Sequence, residues 1–324
     1  MSTIEHIVNL DIGPSERWTF LKDYSAEVND LLGCYLKDFS GEEYIFESIN
    51  TYKDQIISEE YLAEIEYVAS ISKYSAEQVL IANLYYDVLK FYFGCTAFAF
   101  ESNNGVLHAR NLDWHTDNNL LSEHSRIFNF QKGGETVFRS VGWLGFIGVL
   151  SGSKKEKFSV TLNAVLSSDS PEIATPISFF LRDVLTHAES YEMAKKQLEM
   201  TTIASDCLLL LSGTKGGELA VIERTPKRFA ARDPENGHIV VTNDYKKLEN
   251  VSMAQGLLQS TSCGRYERAE EVLNKAKPAS ESGCLEILKD DSIMMGITVQ
   301  QMVFNNKNGN IELIKTDGNN GDKK

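Results

Sequence analysis

Several features that mark large classes of protein are missing from this chain. It has 32 Lys and Arg against 46 Asp and Glu, a formal net charge of −14, so it offers no basic surplus for binding nucleic acid or an anionic membrane. No apolar run is long enough to span a membrane, and the first residues, Met1–His6, show no basic segment leading into an apolar one. We therefore expect no nucleic-acid partner and a cytoplasmic location, unless export follows a route that needs no signal.

Cysteine is scarce and scattered. The cysteines occur singly, with no CxxC pair, at Cys34, Cys95, Cys207, Cys263 and Cys284. This pattern is typical of free thiols in a reducing compartment, and it argues against a disulfide framework and against a structural zinc site. We expect neither a bound metal nor a cofactor.

The order of predicted elements divides the chain near residue 94. After a short strand over 7–10, apolar stripes predict helices over 25–38 and 58–71, and a capping box at Ser75–Gln78 opens an apolar helix that runs toward residue 93. Beyond that point strands dominate, with predicted helices over 173–187, 190–200 and 266–275 and predicted strands over 95–100, 106–109, 125–131, 136–141, 145–150, 157–164, 206–212, 218–224, 238–242, 296–304 and 309–315. Antiparallel strands interrupted by a pair of helices predict an α+β fold, with two sheets and helices packed outside them.

The division coincides with a cysteine in an unusual setting. Gly94-Cys95 opens a strand, a turn at Ser102–Gly105 reverses the chain, and the returning strand leads to Arg110 and Asp113. Because paired antiparallel strands lie about 5 Å apart, the hairpin should bring Arg110 and Asp113 back beside Cys95. A thiol beside a guanidinium and a carboxylate is a candidate nucleophile.

A cysteine that directly follows glycine at the start of a strand can also cut its own chain. Its thiol can attack the carbonyl of Gly94, take the acyl group from nitrogen to sulfur and release it by hydrolysis, and glycine tolerates the strained backbone that this attack needs. The products are residues 1–94 and 95–324, the second with a free α-amine on Cys95. That amine has an ordinary pKa near ~8 and can accept the thiol proton, so one residue would supply both nucleophile and base.

Several motifs, taken together and in this order, resemble one enzyme family. They are Cys95-Thr96-Ala97, His108–Asp113, the glycine-spaced aromatic stretch 143–148, the step Thr242-Asn243 and the step Arg265–Ala269. The sequence is similar in these motifs to the acid ceramidase and N-acylethanolamine acid amidase family. These enzymes are N-terminal nucleophile (Ntn) hydrolases, related to choloylglycine hydrolases and penicillin V acylases.

The resemblance implies a fold and a division of labour. The fold would be an Ntn-hydrolase αββα sandwich of two mainly antiparallel sheets, with residues 1–94 as a helical N-terminal subunit or propeptide and 95–324 as the catalytic subunit. Cys95 would be the nucleophile, Arg110 would favour its thiolate, and Asp113 would orient its α-amine.

The same resemblance implies three further site residues and a substrate class. Asn243 and Asn163 would serve the oxyanion hole, and Arg265 would hold the carboxylate and amine in register. The substrate would be an amphiphilic N-acyl amide, of the N-acylethanolamine or ceramide type, hydrolysed to a fatty acid and an amine. The two chains would stay associated after self-cleavage, and transient contact with a membrane surface is a further expectation.

Other interpretations stay open at this stage. The activity could be that of a bile salt hydrolase, a penicillin V acylase or an acyltransferase, and the chain could also be an uncleaved, inactive relative that binds lipid. Cys95 could be a small buried hydrophobe, and Arg110 with Asp113 a surface ion pair. Asn163 and Asn243 could cap turns, and Arg265 could be an ordinary arginine at the start of a helix.

Overall fold

Two β-sheets form the centre of the molecule. The structure, a computed structural model, describes residues 4–41, 43–89, 93–114, 116, 119–249 and 257–316. Within these ranges the strands are β1 (Glu5–Asn9), β2 (Phe93–Ser102), β3 (Gly105–Trp114), β4 (Ser125–Lys132), β5 (Glu135–Trp143), β6 (Ser151–Lys154), β7 (Phe158–Asn163), β8 (Cys207–Ser212), β9 (Leu219–Arg224), β10 (Phe229–Arg232), β11 (His238–Val241), β12 (Thr298–Asn305) and β13 (Ile311–Lys315). One sheet, sheet A, has the order β1-β4-β5-β6-β7-β8-β9-β10, and the other, sheet B, has the order β11-β2-β3-β12-β13.

Helices cover the outer faces of both sheets. They are α1 (Ser25–Lys37), α2 (Glu43–Ile56), α3 (Glu59–Ser70), α4 (Ala76–Asn83), α5 (Tyr85–Leu89), α6 (Leu120–Glu123), α7 (Ile177–His187), α8 (Tyr191–Met200), α9 (Leu257–Lys275) and α10 (Glu281–Leu288). Helices α7 and α8 pack on sheet A, α9 and α10 pack on sheet B, and β2 meets β7 and β8 between the sheets. All strand pairs are antiparallel except β1 with β4, over the part of the chain that the structure describes. The predicted αββα arrangement of two mainly antiparallel sheets is confirmed.

The alternation of side chains along β2 determines how the layers pack. Phe98 and Phe100 point to the helices on sheet B and pack there with Leu273 of α9, whereas Ala97 and Ala99 point to sheet A. Burying one phenylalanine stabilises the fold by roughly 1.5–3 kcal/mol, so the aromatic face anchors α9 against the sheet. Cys95 lies two residues before Ala97 and therefore shares its inward face.

The N-terminal helices are bound to the two sheets and to α7 through strand pairing and side-chain contacts. Strand β1 extends sheet A at its edge. The buried carboxylate of Glu64 on α3 accepts hydrogen bonds from Arg17, Trp18 and, through two N–H groups, Arg182 of α7. Asn83 at the end of α4 donates to the carbonyl of Gly145 and accepts from the N–H of residue 147. These contacts join residues before position 94 to residues after it.

Some predicted elements are wrong in extent. The predicted helix from Ser75 begins with the expected capping box but breaks at Leu84, and its predicted end beyond residue 89 lies outside the described residues. Residues 145–150 form no strand, because Gly145 has a φ of +83° and this segment bonds mainly to the Asn83 side chain and to α7, with one bond to β7 through the carbonyl of Leu150. Strand β3 extends to Trp114, past the predicted end.

Other differences arise from short or polar segments. Helices α2, α6 and α10 and strands β6 and β10 were not predicted. Helix α9 begins at residue 257, earlier than predicted. The prediction missed its first turns because they are rich in residues with weak helix propensity, such as Ser, Thr and Gly. In the regions described, no helix combines the length and the apolar composition needed to cross a membrane.

Candidate active site

The Cys95 thiol lies at the inner face of sheet B, next to an arginine. Cys95 pairs with Leu112 and Ala97 pairs with Arg110, so the side chains of Cys95 and Arg110 share one face of the hairpin. Nη2 of Arg110 lies 3.1 Å from Cys95 Sγ, and the carbonyl oxygen of Leu162 lies 3.8 Å from the same sulfur. A guanidinium donor at this distance stabilises negative charge on sulfur. The predicted approach of Arg110 to Cys95 is confirmed.

Arg110 is held in place by main-chain acceptors. Its Nη1 donates to the carbonyl of Leu150 at 3.0 Å and to the hydroxyl of Ser151, and its Nη2 also donates to the carbonyl of Leu162. The side chain is fully buried. A buried guanidinium with several fixed partners cannot turn away from the thiol, so the surface ion-pair interpretation of Arg110 with Asp113 is wrong.

Asp113 lies on the opposite face of β3 from Arg110. It pairs directly with Gly94, and its Oδ1 accepts a hydrogen bond from the Thr298 hydroxyl. Its Oδ2 has no hydrogen-bond partner among the described residues and lies 4.0 Å from Nη1 of Arg265. Burial raises the pKa of Asp113, and the charge of Arg265 and the bond from Thr298 only partly oppose this. The carboxyl group thus lies beside the Gly94–Cys95 link with one oxygen unengaged.

Asn243 and Arg265 hold the main chain of Cys95 from both sides. Oδ1 of Asn243 accepts from the Cys95 N–H at 3.1 Å and from Arg265 Nη2 at 2.7 Å. Nη1 of Arg265 donates to the Cys95 carbonyl at 2.6 Å and to the Thr96 hydroxyl at 2.9 Å. Because both neighbours of this amide oxygen are donors, the orientation of the Asn243 side-chain amide is defined. Its Nδ2 donates to the carbonyl of Ala164 at 2.8 Å.

The position of Arg265 differs from that of an arginine at the start of a helix. It lies in the middle of α9, so the helix-start interpretation is wrong. Burial lowers the pKa of Arg265, and the charge of Asp113 acts in the opposite direction. The guanidinium is placed to link the carboxylate, the amide and the main chain of Cys95.

Asn163 contacts the site through the main chain of the neighbouring strand. Its Nδ2 donates to the carbonyls of Val241 and Thr242, at 3.2 and 2.9 Å, and its Oδ1 is buried without a hydrogen-bond partner in the described ranges. Asn163 therefore joins the end of β7 to the end of β11 immediately before Asn243. It does not contact Cys95 directly in the way that Arg110, Asn243 and Arg265 do.

Hydroxyl groups that were not predicted as site residues also support the site. Thr298 binds Asp113, and Ser262 accepts from the Asn243 N–H and donates to the hydroxyl of Thr242. Ser262 lies three residues before Arg265 on the same helix, so a correct start for α9 would have placed both on one face. The contact of Thr298 with Asp113 depends on the pairing of β12 with β3, for which the sequence carries no local signal. In the described parts of the chain, no group of His, Cys, Asp or Glu side chains is arranged to hold a metal ion.

Similarity to known proteins assigns the chain to a family. The family model of acyl-coenzyme A:6-aminopenicillanic acid acyl-transferase matches residues 100–321, more than half of the chain, and its match begins after Cys95. Acid ceramidase from Balaenoptera acutorostrata scammoni is 28% identical over 281 residues, covering 76% of this chain and 70% of its own, and acid ceramidase from Mus musculus is 26% identical with the same coverage.

A solved structure shares the fold. The Caenorhabditis elegans N-acylethanolamine-hydrolyzing acid amidase (NAAA) ortholog matches with a TM-score of 0.57 at 22% identity, covering 65% of this chain and 93% of that one. Its likeness supports the two-sheet architecture described above. The chain therefore belongs to the acyl-coenzyme A:6-aminopenicillanic acid acyl-transferase family and is related in sequence to the acid ceramidases.

Proposed function

We propose that this protein is a cysteine Ntn amidase that cuts itself between Gly94 and Cys95 and then hydrolyses N-acyl lipids to a fatty acid and an amine. The observation that carries the proposal is the convergence of three side chains on Cys95: Arg110 at the sulfur, Asn243 at the nitrogen and Arg265 at the carbonyl. A buried cysteine that served only for packing would need no guanidinium at its sulfur.

Self-cleavage would begin at the Gly94 carbonyl. The Cys95 sulfur attacks this carbon, the carbon–nitrogen bond breaks, and the acyl group of residues 1–94 is left as a thioester while the Cys95 nitrogen gains a proton. Water then hydrolyses the thioester to free the thiol and a carboxylate on Gly94. Asp113, opposite Gly94 with one unengaged oxygen, is placed to accept a hydrogen bond from the new α-amine.

Turnover of substrate would use the same atoms. The α-amine takes the thiol proton, the sulfur attacks the amide carbonyl, and the amine product leaves with a proton before water releases the fatty acid. Asn243 would donate its Nδ2 to the oxyanion in exchange for its present partner, the Ala164 carbonyl. One such donor contributes about 3–4 kcal/mol to lowering the barrier.

The surroundings of the thiol favour an apolar acyl group. Leu112 and Trp114 share the inner face of the hairpin with Cys95, and Trp114 stacks on Tyr35 at 5.1 Å between ring centroids. Trp143 meets Trp114 edge-on at 5.5 Å. Ligand sites are mostly apolar with few polar anchors, so this aromatic cluster supports a long-chain acyl amide, of the N-acylethanolamine or ceramide type, as substrate.

The two chains would remain together after cleavage. Strand β1, the Glu64–Arg182 pair and the Asn83 bonds to residues 145–147 all cross from the N-terminal piece to the catalytic piece. A separate N-terminal chain would break these bonds and expose the apolar core that the N-terminal helices cover, which is unfavourable.

The deciding experiment replaces the nucleophile. Mass spectrometry of the purified protein should find chains 1–94 and 95–324, and Cys95→Ala should stay intact and lose amide hydrolysis by about 10⁶-fold, as loss of the nucleophile does in other covalent hydrolases. Cys263→Ala, at an exposed thiol, is the matched control and should keep both reactions. Surviving amidase activity in Cys95→Ala, measured as fatty acid released from a panel of lipid amides, would refute the assignment.

Acyl transfer is the second candidate, because the matching family model is that of an acyl-transferase. The thioester on Cys95 would then pass its acyl group to an amine acceptor in place of water. Hydroxylamine added to the lipid-amide assay distinguishes the two. A transferase forms the hydroxamate with little fatty acid, whereas a hydrolase still yields mainly fatty acid.

A further inference from the structure

Glu223, near the end of β9, has a fully buried carboxylate and was not among the predicted site residues. Its Oε1 accepts from Nε of Arg232 and from the main-chain N–H of Lys246, both at 2.9 Å. Its Oε2 accepts from the main-chain N–H groups of Lys247 at 2.9 Å and Leu248 at 2.7 Å. An ionised carboxylate offers about four acceptor sites and no donor, and here four donors fill them.

The segment that Glu223 binds begins three residues after Asn243 in the chain. Glu223 also holds the segment before Asn243, through Arg232. This arginine binds Glu223 and donates through Nη2 to the carbonyl of Val240 at 3.0 Å. The Tyr245 hydroxyl adds a bond to the carbonyl of Arg224 at 2.6 Å. Glu223 thus fixes the main chain on both sides of Asn243 and connects sheet A to the end of β11 in sheet B.

The Glu223 carboxylate binds these groups and not the thiol, so any effect on the reaction must act through a residue that touches Cys95. We propose that Glu223 is the positioning residue for Asn243: it holds the loop 244–248 so that the Asn243 amide stays at the main chain of Cys95. The inference rests on the proposed function, in which Asn243 serves the oxyanion. Misplacement of a reacting group by about 1 Å can cost about 10²-fold in rate, so a loosened loop should be visible in kcat.

The test variant is Glu223→Gln, which keeps the shape and removes one acceptor oxygen. Whichever way the new amide turns, its NH₂ faces two donors, either Arg232 Nε with Lys246 N or Lys247 N with Leu248 N. We expect kcat of the mature enzyme, per titrated Cys95 thiol, to fall about 10- to 100-fold with KM changed less than about twofold. In an Asn243→Ala background the same change should have no further effect on kcat, because the residue through which it acts is gone.

Glu64→Gln is the matched control, since Glu64 is an equally buried carboxylate that binds arginine far along the chain from Asn243. It should leave kcat per titrated thiol unchanged. Unchanged kcat in Glu223→Gln, or an equal loss in the Asn243→Ala background, would overturn the inference.

If Glu223→Gln does not fold, Arg232→Gln removes the link to Val240 at a less buried side chain and should lower kcat about threefold. No change in kcat there would count against the inference equally.

Hydrogen exchange separates this inference from the proposed function. Amides of residues 244–248 should exchange faster in Glu223→Gln than in wild type, with no such change in Glu64→Gln. An inactive wild-type protein would refute the proposed amidase but leave this readout in force. Unchanged exchange at residues 244–248 would overturn the positioning role whether or not the protein is active.

Discussion

Glu64 and Asp113 are both fully buried carboxylates close to arginine, but their hydrogen bonding differs. Both oxygens of Glu64 accept hydrogen bonds, and its partners are Arg182, Arg17 and Trp18. Asp113 accepts from Thr298 with one oxygen, and its other oxygen has no such partner within the described ranges. The first carboxylate is fully satisfied, whereas the second keeps an acceptor unused in the interior, where an unsatisfied polar atom is costly.

The balance between burial and neighbouring charge differs in the two clusters. Burial by itself would lower the pKa of Arg182, but the Glu64 charge outweighs it and raises that pKa above its ordinary value. The Arg182 guanidinium also lies over the Tyr61 ring, 4.7 Å from its centroid. Burial raises the pKa of Asp113. Glu64 therefore belongs to a cluster that holds two parts of the chain together, whereas Asp113 lies in a cluster where burial outweighs the neighbouring charges.

Among the substitutions that test this difference between Glu64 and Asp113, Asp113→Asn should have the largest effect, and that effect should be on kcat. The amide keeps the shape and the oxygen that accepts from Thr298, but it cannot orient or neutralise a cationic amine. We expect kcat for amide hydrolysis to fall by about 10⁴-fold, as it does when the orienting aspartate of a catalytic triad becomes asparagine. The free energy of unfolding of the intact chain should change by less than about 1 kcal/mol, because the variant buries no ionised group.

The control for Asp113→Asn is Asp290→Asn, which makes the same chemical change at a partly exposed carboxylate paired with Arg268 at 2.7 Å. Such pairs contribute about 0–1 kcal/mol, and activity should be unaffected. Asp113→Asn enzyme that retains turnover within about tenfold of wild type would show that the unused oxygen has no part in the reaction.

Glu64→Gln should give the next largest effect, and it should act on stability instead of turnover. The neutral amide leaves Arg182 buried without its counter-ion, and we expect the free energy of unfolding to fall by about 3–5 kcal/mol. The measurement is urea unfolding in a Cys95→Ala background, which keeps the chain in one piece. This result would contrast directly with Asp113→Asn, where activity falls and stability does not.

A double variant checks the origin of that loss. Glu64→Gln combined with Arg182→Met removes both charges, and replacing a buried ion pair by apolar groups is often close to neutral. We expect the double variant to recover at least half of the stability lost in Glu64→Gln. If the losses simply add, the pair is not coupled in the way that its two hydrogen bonds indicate.

The two clusters also differ in how far the sequence could predict them. Arg110 could be placed beside Cys95 because both lie on one hairpin, whose turn at Gly105 has the positive φ, +113°, that glycine tolerates. Asn243 and Arg265 could be named from the motif resemblance, but their bonds to Cys95 depend on β11 pairing with β2 and on the true start of α9. Long-range pairing of this kind leaves no local signal.

The Glu64 cluster was not predicted at all. Sequence patterns treat a glutamate on an amphipathic helix as a solvated residue, and Glu64 becomes buried only when α3 packs against α7. The place of Asp113 beside Cys95 was predicted, but its unpaired oxygen was not, because the bonding of the carboxylate depends on Thr298 of β12 and Arg265 of α9. Charge burial follows from tertiary packing, so only the fold could reveal it.

The smallest expected effect concerns the pH dependence of stability and comes from Asp113 alone. Because burial raises the folded-state pKa of Asp113 above its ordinary value of 3.8, the folded chain holds this proton at pH values where the unfolded chain has released it. Stability from this group is therefore greatest below the ordinary pKa and is lost as pH rises through the raised folded pKa.

Urea unfolding of Cys95→Ala, with and without Asp113→Asn, from about pH 4 to about pH 8 isolates this contribution, since all other groups cancel in the difference. The chain that keeps Asp113 should become progressively less stable relative to the Asp113→Asn chain as pH rises. A constant difference, or one of opposite slope, would mean that Asp113 is as well satisfied as Glu64.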